Sequence, residues 1–215
     1  MINERDLEKE LEREGVLKSP RLIEAWKKII REDFITKQYR GEAAFNTPLP
    51  IGYGQTISQP FTVAFMLELL SVEEGNKVLD VGSGSGWQTA ILSELVGKDG
   101  RVYALERIPE LKEFGEQNVS KYNFIKSGRT KFFIKNGWEG LPEHAPFDRI
   151  IVAAAADEIP KELLNELAPG GRLVLPVGGE MGQGIVIIVK DSEGEVSEKR
   201  FPGFVFVPFV KKDKI

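Results

Sequence analysis

The segment Gly82-Ser83-Gly84-Ser85-Gly86 follows directly on the apolar run Lys77–Val81. Glycines there let the backbone approach a ligand closely and allow positive φ. The dinucleotide fingerprint G-x-G-x-x-G would need glycine where Trp87 stands, so G-x-G-x-G fits a nucleoside cofactor without a pyrophosphate. Glu106 closes the next apolar run, twenty residues past Gly86. A carboxylate at that place accepts hydrogen bonds from both hydroxyls of a ribose, and its charge strengthens them. Asp80, just before the glycines, is placed to hold the loop or to reach the amino group at the cofactor's amino-acid end. Asn136-Gly137 ends the third apolar run, where an amide would meet an adenine edge; Asn-Gly is equally a plain turn signal. The expected cofactor-binding residues are Asp80, Gly82, Ser83, Gly84, Ser85, Gly86, Glu106, Asn136 and Gly137. The expected cofactor is S-adenosyl-L-methionine, released as S-adenosyl-L-homocysteine.

Other chemistries are excluded by what is missing. The 215 residues include no cysteine, which removes disulfide frameworks, thiol nucleophiles and thiolate metal sites. The one histidine, His144, lies in the turn-like segment Pro142–Pro146. A three-histidine metal site is impossible, and a Ser–His–Asp triad would depend on that loop residue. The 29 basic and 33 acidic residues are mixed, with a net charge of −4 and no basic block, so a phosphate-tracking face for nucleic acid is disfavoured. Met1–Glu14 is densely charged, unlike a signal or transit peptide. The longest apolar run, Ile150–Ala156, falls far short of the ~20 residues a membrane helix needs. A cytoplasmic monomer with no membrane partner is expected.

The elements that must position these residues follow from the pattern. Residues 1–45 read as a helical extension. Leu7 and Leu11 mark one helix, and Ser19-Pro20 caps a second that carries Leu22, Ile23, Trp26, Ile29 and Ile30 at helical spacing. Phe45–Gln59, rich in proline, glycine and hydroxyls, reads as a loop, and a loop this long in a compact domain usually has a function. A helix through Phe61, Ala64, Phe65, Leu67 and Leu69 follows. From Lys77 strands and helices alternate: strands Lys77–Val81, Arg101–Glu106, Thr130–Lys135, Asp148–Ala154 and Arg172–Val177, with helices Gly86–Val96, Pro109–Tyr122 and Pro160–Leu167 between them. That order predicts an α/β fold, a doubly wound and mostly parallel sheet. Gly184–Lys190, Glu195–Phe201 and Phe204–Val210 then read as strands joined by turns, giving antiparallel edge strands at the C-terminal end. The expectation is one domain, with an active-site loop over 46–60, a cofactor-binding core over 61–178 and antiparallel strands over 179–215.

Beyond the glycine loop, several segments carry a more specific likeness. They are IGYGQTISQP (Ile51–Pro60), LDVGSGSGWQTA (Leu79–Ala90), FDRIIVAAAADEIP (Phe147–Pro160), LAPGGRLVLPVG (Leu167–Gly178) and FVFVPF (Phe204–Phe209). In this order, from about Pro48 to Phe209, the chain resembles the protein-L-isoaspartate O-methyltransferases. The chain departs from that pattern at Phe61 and Val63, near which members often carry histidine, and at Asn136, where many have an acidic residue. The resemblance implies a Rossmann-like class I methyltransferase fold. It also implies an enzyme of protein repair, which methylates the α-carboxylate of L-isoaspartyl residues in damaged proteins and peptides. The ester then closes to a succinimide that can reopen as normal aspartate.

Such an acceptor suits a chain without acid–base machinery. A carboxylate, with a reference pKa near ~4, is already ionised and needs no general base. What remains is alignment, which can contribute ~7–11 kcal/mol. Ser58 is the expected catalytic residue, its hydroxyl donating to one carboxylate oxygen while the other attacks, with Thr56 second. On local sequence alone Ser58, before Gln59-Pro60, reads first as a helix cap, and it is the resemblance that turns the reading to catalysis. Ile57, Phe206, Val207 and Pro208 are the expected substrate-binding residues, the last three as a strand edge that an extended peptide could join. The rival readings are a methyltransferase acting on RNA or a small molecule, and a cofactor-binding regulatory module without catalysis.

Overall fold

The computed structural model describes residues 3–179 and 182–211, so the ends of the expected 1–45 and 179–215 segments, and the junction at 180–181, lie outside it. Its centre is a seven-stranded sheet. In chain order the strands are β3 (Lys77–Val81), β4 (Arg101–Glu106), β5 (Thr130–Ile134), β6 (Phe147–Val152), β7 (Leu167–Gly179), β8 (Gly182–Lys190) and β9 (Val196–Phe204), and across the sheet they run β5-β4-β3-β6-β7-β8-β9. The first five are parallel, and β8 and β9 are antiparallel additions at one edge. Val78–Val81 in β3 and Arg149–Val152 in β6 are buried throughout, as central parallel strands covered on both faces require. Alternate residues feed two cores. Val78, Ala104, Ile151 and Val174 face the first; Leu79, Leu105, Ile150 and Leu173 face the second.

The two faces are covered unequally. The first core takes α1 (Glu4–Arg13), α2 (Pro20–Lys28), α3 (Pro60–Leu70), α4 (Trp87–Leu95) and α5 (Pro109–Ser120). The second takes only the short α6 (Lys161–Asn165) and the 3₁₀ turns Gly137–Glu139 and Pro142–His144. The N-terminal helices are part of the packed body. Trp26 of α2 meets Trp87 of α4 edge-on at 5.0 Å, and Arg21 Nη1 donates to the Val72 carbonyl. No helix among the described residues is long and apolar enough to cross a membrane.

Several expected elements differ. The stretch Phe45–Gln59 is not wholly a loop: β1 (Leu49–Gly52) and β2 (Gln55–Ile57) form an antiparallel hairpin. Its tip turns through Gly52, Tyr53 and Gly54, all at positive φ, which the two glycines adopt without steric cost. Helix α2 stops at Lys28, leaving Ile29 buried as the last cap and Ile30 43% exposed. Ser19 is the N-cap residue of that helix, as expected, but its side chain makes no capping bond; its Oγ donates to Glu68 Oε2 at 2.6 Å. Leu167 leaves the expected Pro160–Leu167 helix because it already pairs with Phe147 as the start of β7. Of the two strands expected at Glu195–Phe201 and Phe204–Val210, only the first forms, as β9, which ends at Phe204. Beyond it Pro208 has no N–H for a ladder, and the chain turns back across the sheet, bridging Ala155 beyond β6.

Candidate active site

The sheet order reverses at β3. β4 and β5 lie to one side of it and β6 to the other, and ligands of open α/β sheets sit at the carboxyl ends beside such a switch point. A cleft opens there, lined by the glycine loop, the ends of β4 and β6, the hairpin β1–β2 and the segment Val207–Val210.

The loop is held from below. Gly82 N–H and Ser83 N–H both donate to the Leu105 carbonyl, at 2.9 and 3.0 Å, and Gly86 N–H donates to the Ser83 carbonyl at 2.8 Å. Gly82, Gly84 and Gly86 all have positive φ. Gly86 serves packing rather than the cleft: a Cβ on it would lie 2.7 Å from the Gly115 carbonyl oxygen of α5. Glu106 is buried at the cleft wall, its Oε1 accepting from Arg107 and Ile108 N–H and its Oε2 from Gly84 N–H. These donors fix the carboxylate while each oxygen keeps lone pairs for further partners. Two polar atoms of cleft-lining residues are buried without any partner, Ser83 Oγ and the Trp87 indole N–H. Unpaired buried groups of that kind are costly and indicate a polar ligand. Together with Glu106 they fit the ribose and amino-acid portions of S-adenosylmethionine.

Besides Gly86, two expected cofactor residues are placed differently. Asp80 is completely buried beneath the loop, with Gln88 Nε2 donating to Oδ1 at 2.8 Å and Thr89 Oγ1 to Oδ2 at 2.6 Å. Burial raises its pKa to about 6, opposed by those two hydrogen bonds and assisted by the charge of Glu106. It supports the loop and orients Gln88, which does line the cleft. Asn136 turns its amide oxygen to the Trp138 N–H at 3.1 Å, capping a 3₁₀ turn, which is the turn reading of Asn-Gly. Gly137 lines the cleft, and a Cβ there would meet Val81 Cγ1 at 2.1 Å. Sequence reasoning missed Gln88, Trp87, Ile108 and Lys135 on the wall, residues whose types alone carry no signal.

A second groove, lined by Asn46, Phe61, Thr62 and the stretch Pro202–Val207 among others, adjoins the cleft. The cleft and the groove share Thr56, Ser58, Ala153 and Val207. Ser58 therefore stands where the two meet. It is not the cap of α3: Gln59 holds that position, and the Phe61 N–H is satisfied by Asn46 Oδ1 at 3.0 Å. Ile57 is buried and lines the cleft, and Pro208 lines it too. Phe206 lines only the groove, its N–H donating to Gln183 Oε1 at 2.7 Å. Val207 does not offer the expected open edge, since its carbonyl accepts from Ala155 N–H at 2.8 Å.

Comparison with known proteins identifies the family. Residues 2–214 match the family model described as protein-L-isoaspartate(D-aspartate) O-methyltransferase. A protein named protein-L-isoaspartate O-methyltransferase from Aeropyrum pernix is 48% identical over 201 residues, covering 94% of this chain and 76% of its own. One of the same name from Methanopyrus kandleri is 43% identical, covering 93% of this chain and 87% of its own. A crystal structure from Plasmodium falciparum, described as a candidate protein-L-isoaspartate O-methyltransferase in complex with S-adenosyl-L-homocysteine, superposes with a TM-score of 0.88 at 27% identity. It covers 98% of this chain and 99% of the other.

Proposed function

The chain belongs to the protein-L-isoaspartate(D-aspartate) O-methyltransferase family, and from that premise we propose how its two cavities share one reaction. The protein is an S-adenosylmethionine-dependent enzyme that methylates the α-carboxylate of L-isoaspartyl residues in damaged proteins and peptides. The observation that supports the mechanism best is the position of Ser58 and Thr56, on the walls of both the nucleoside cleft and the neighbouring groove.

The cofactor supplies an electrophilic methyl group on a sulfonium sulfur. When it is bound, Glu106 would accept from its ribose hydroxyls, and Ser83, Gly84 and Gly137 would hold it against the loop and the cleft wall. Asp80 acts from beneath by holding Gln88 and Thr89. The peptide lies in the groove along Phe206 and Val207, with Ile57 and Pro208 closing the passage to the cleft. Its carboxylate is ionised at neutral pH and needs no proton removed. Ser58 donates to one carboxylate oxygen and leaves the other free to attack in line, with Thr56 beside it. Catalysis is then alignment, consistent with a site whose lining residues include neither histidine nor cysteine.

A cytoplasmic monomer is part of the same reading. The free edge strand β9 carries Glu198, Lys199 and Arg200, charges that discourage edge-to-edge pairing, and the chain has no cysteine to exploit an oxidising compartment. The test is methyl transfer from labelled cofactor to an isoaspartyl peptide and to its aspartyl twin. Transfer to the first alone is expected. Transfer to neither, or preferential transfer to RNA, would sink the assignment.

A further inference from the structure

Arg31 is 1% exposed, a cation deep in the body of the protein. Among the described residues no carboxylate hydrogen-bonds its guanidinium. The four carbonyls that do come from two stretches of chain, 43–47 and Ser58: Nη1 donates to Ala43 and Phe45 oxygens, both at 3.0 Å, and Nη2 to Thr47 at 2.8 Å and Ser58 at 3.1 Å. The guanidinium carbon also lies 5.2 Å from the ring centroid of Trp87. Its own backbone is anchored in turn, with the Arg31 and Glu32 N–H groups donating to the Glu4 carboxylate at 2.8 and 3.0 Å.

A buried cation whose guanidinium, among the described residues, hydrogen-bonds only neutral oxygens and has the Glu4 carboxylate acting on it only through space is costly to keep. An apolar side chain would fill the same space at less cost if filling were the need. What this one does is geometric. Trp87 is the first residue of α4, immediately after the glycine loop, and lines the cleft. Ser58 follows β2 and stands between cleft and groove. The planar fork of the guanidinium reaches both at once, together with the 43–47 strand of chain that supports the groove.

We propose that Arg31 is a positioning residue of methyl transfer: it sets the relation of the acceptor-side Ser58 to the donor-side loop that ends at Trp87. This inference rests on the role given to Ser58 above. It also gives the N-terminal segment a task in catalysis, through Arg31 and its anchor Glu4.

The experiment measures kcat on an isoaspartyl peptide, Kd for S-adenosylhomocysteine, and Tm, for the full chain with Arg31→Lys, Ser58→Ala and both. Lysine keeps the charge but cannot span the four oxygens. Arg31→Lys should lose roughly tenfold to a hundredfold in kcat per folded molecule, as a misplaced reactant does, with Kd for the product within about twofold. In the Ser58→Ala background the same change should cost about twofold or less, because the two act through one group. Arg31→Lys with wild-type kcat over a defective Ser58→Ala overturns this inference alone, as do losses that multiply in the double variant. Ser58→Ala with wild-type kcat overturns the serine reading and this one with it. Should Arg31→Lys fail to fold, Glu4→Gln loosens the anchor without emptying the core and should give the same split at smaller size; a Glu4→Gln that lowers Tm and leaves kcat per folded molecule untouched overturns the proposal.

Discussion

The Gly84 N–H donates to Glu106 Oε2 across 3.0 Å, so the carboxylate facing the nucleoside cleft is also the group that fixes the glycine loop. Binding of the ribose and shape of the loop are therefore coupled. Glu106→Gln places an amide N–H₂ where at least one backbone donor now points. Hydrogen bonds to charged groups contribute about 1.5–3 kcal/mol each. The expected result is a Kd for S-adenosylhomocysteine raised at least about tenfold, measured by calorimetric titration. Unchanged affinity would remove Glu106 from the cofactor site.

Ser58 offers a cleaner separation of roles than its sequence context suggests, because α3 is capped without it. Ser58→Ala should lower kcat by roughly tenfold to a hundredfold, the cost of one unmade hydrogen bond to a charged group. Tm should stay where it is. A fall in Tm with kcat intact would mean a structural hydroxyl and end the catalytic reading.

Much of this could be seen in the residues alone, and the exceptions have a common cause. Strand β3, its glycine loop and the carboxylate at the end of β4 are local patterns, each complete within a few residues, and the alternation of strands and helices fixed the parallel sheet. The hairpin Leu49–Ile57 escaped because its strands are four and three residues long and interrupted by Pro50 and Gly52. The stretch after Phe204 has strand composition, yet Pro208 and its pairing with Ala155 take it over the cleft instead. Asp80 and Asn136 have the right chemistry, but their partners, Thr89 and Trp138, consume it. Arg31 was invisible because its partners are backbone carbonyls 12 to 27 residues away, and carbonyls carry no side-chain signature.

Gly115 lies within α5, where alanine would ordinarily favour a helix by about 1 kcal/mol. Here a Cβ would come within 2.6 Å of the Gly84 carbonyl oxygen. Backbone cannot move aside cheaply at a close-packed crossing. Gly115→Ala should therefore lower stability by about 1–3 kcal/mol despite its better propensity, read as a lower Tm. An unchanged or higher Tm would show that the helix and loop can separate at no cost.

Asp80 gives stability a specific pH dependence. Its folded pKa, raised by burial to about 6, lies above its ordinary 3.8, so the fold favours the protonated form. The stabilising contribution is complete below the ordinary value and is lost as pH rises through about 6, where the buried carboxyl ionises. Asp80→Asn does not titrate. Relative to wild type it should gain stability as pH goes from 4 to 7, by at most about 3 kcal/mol. Denaturant unfolding at the two pH values measures this. A difference between the proteins that stays constant with pH would mean that Asp80 remains ionised throughout.

The partition into cleft and groove is itself testable, because Val205 and Val207 sample it differently. Val205 is 90% exposed and lines the groove alone, whereas Val207 lines both spaces. The acceptor carries a negative charge, and an aspartate nearby opposes its approach, weakly at an exposed position and more strongly where solvent is partly excluded. Val205→Asp should raise KM for an isoaspartyl peptide by about twofold to fivefold, within the range of an exposed charge pair, with Kd for S-adenosylhomocysteine unchanged. Val207→Asp should raise KM further and weaken product binding too, since its side chain would stand at the opening through which the two reactants meet. The order of the two effects matters more than their size. If Val205→Asp weakened the cofactor and spared the peptide, the assignment of groove to acceptor and cleft to donor would have to be reversed, and Ser58 would then contact the wrong partner.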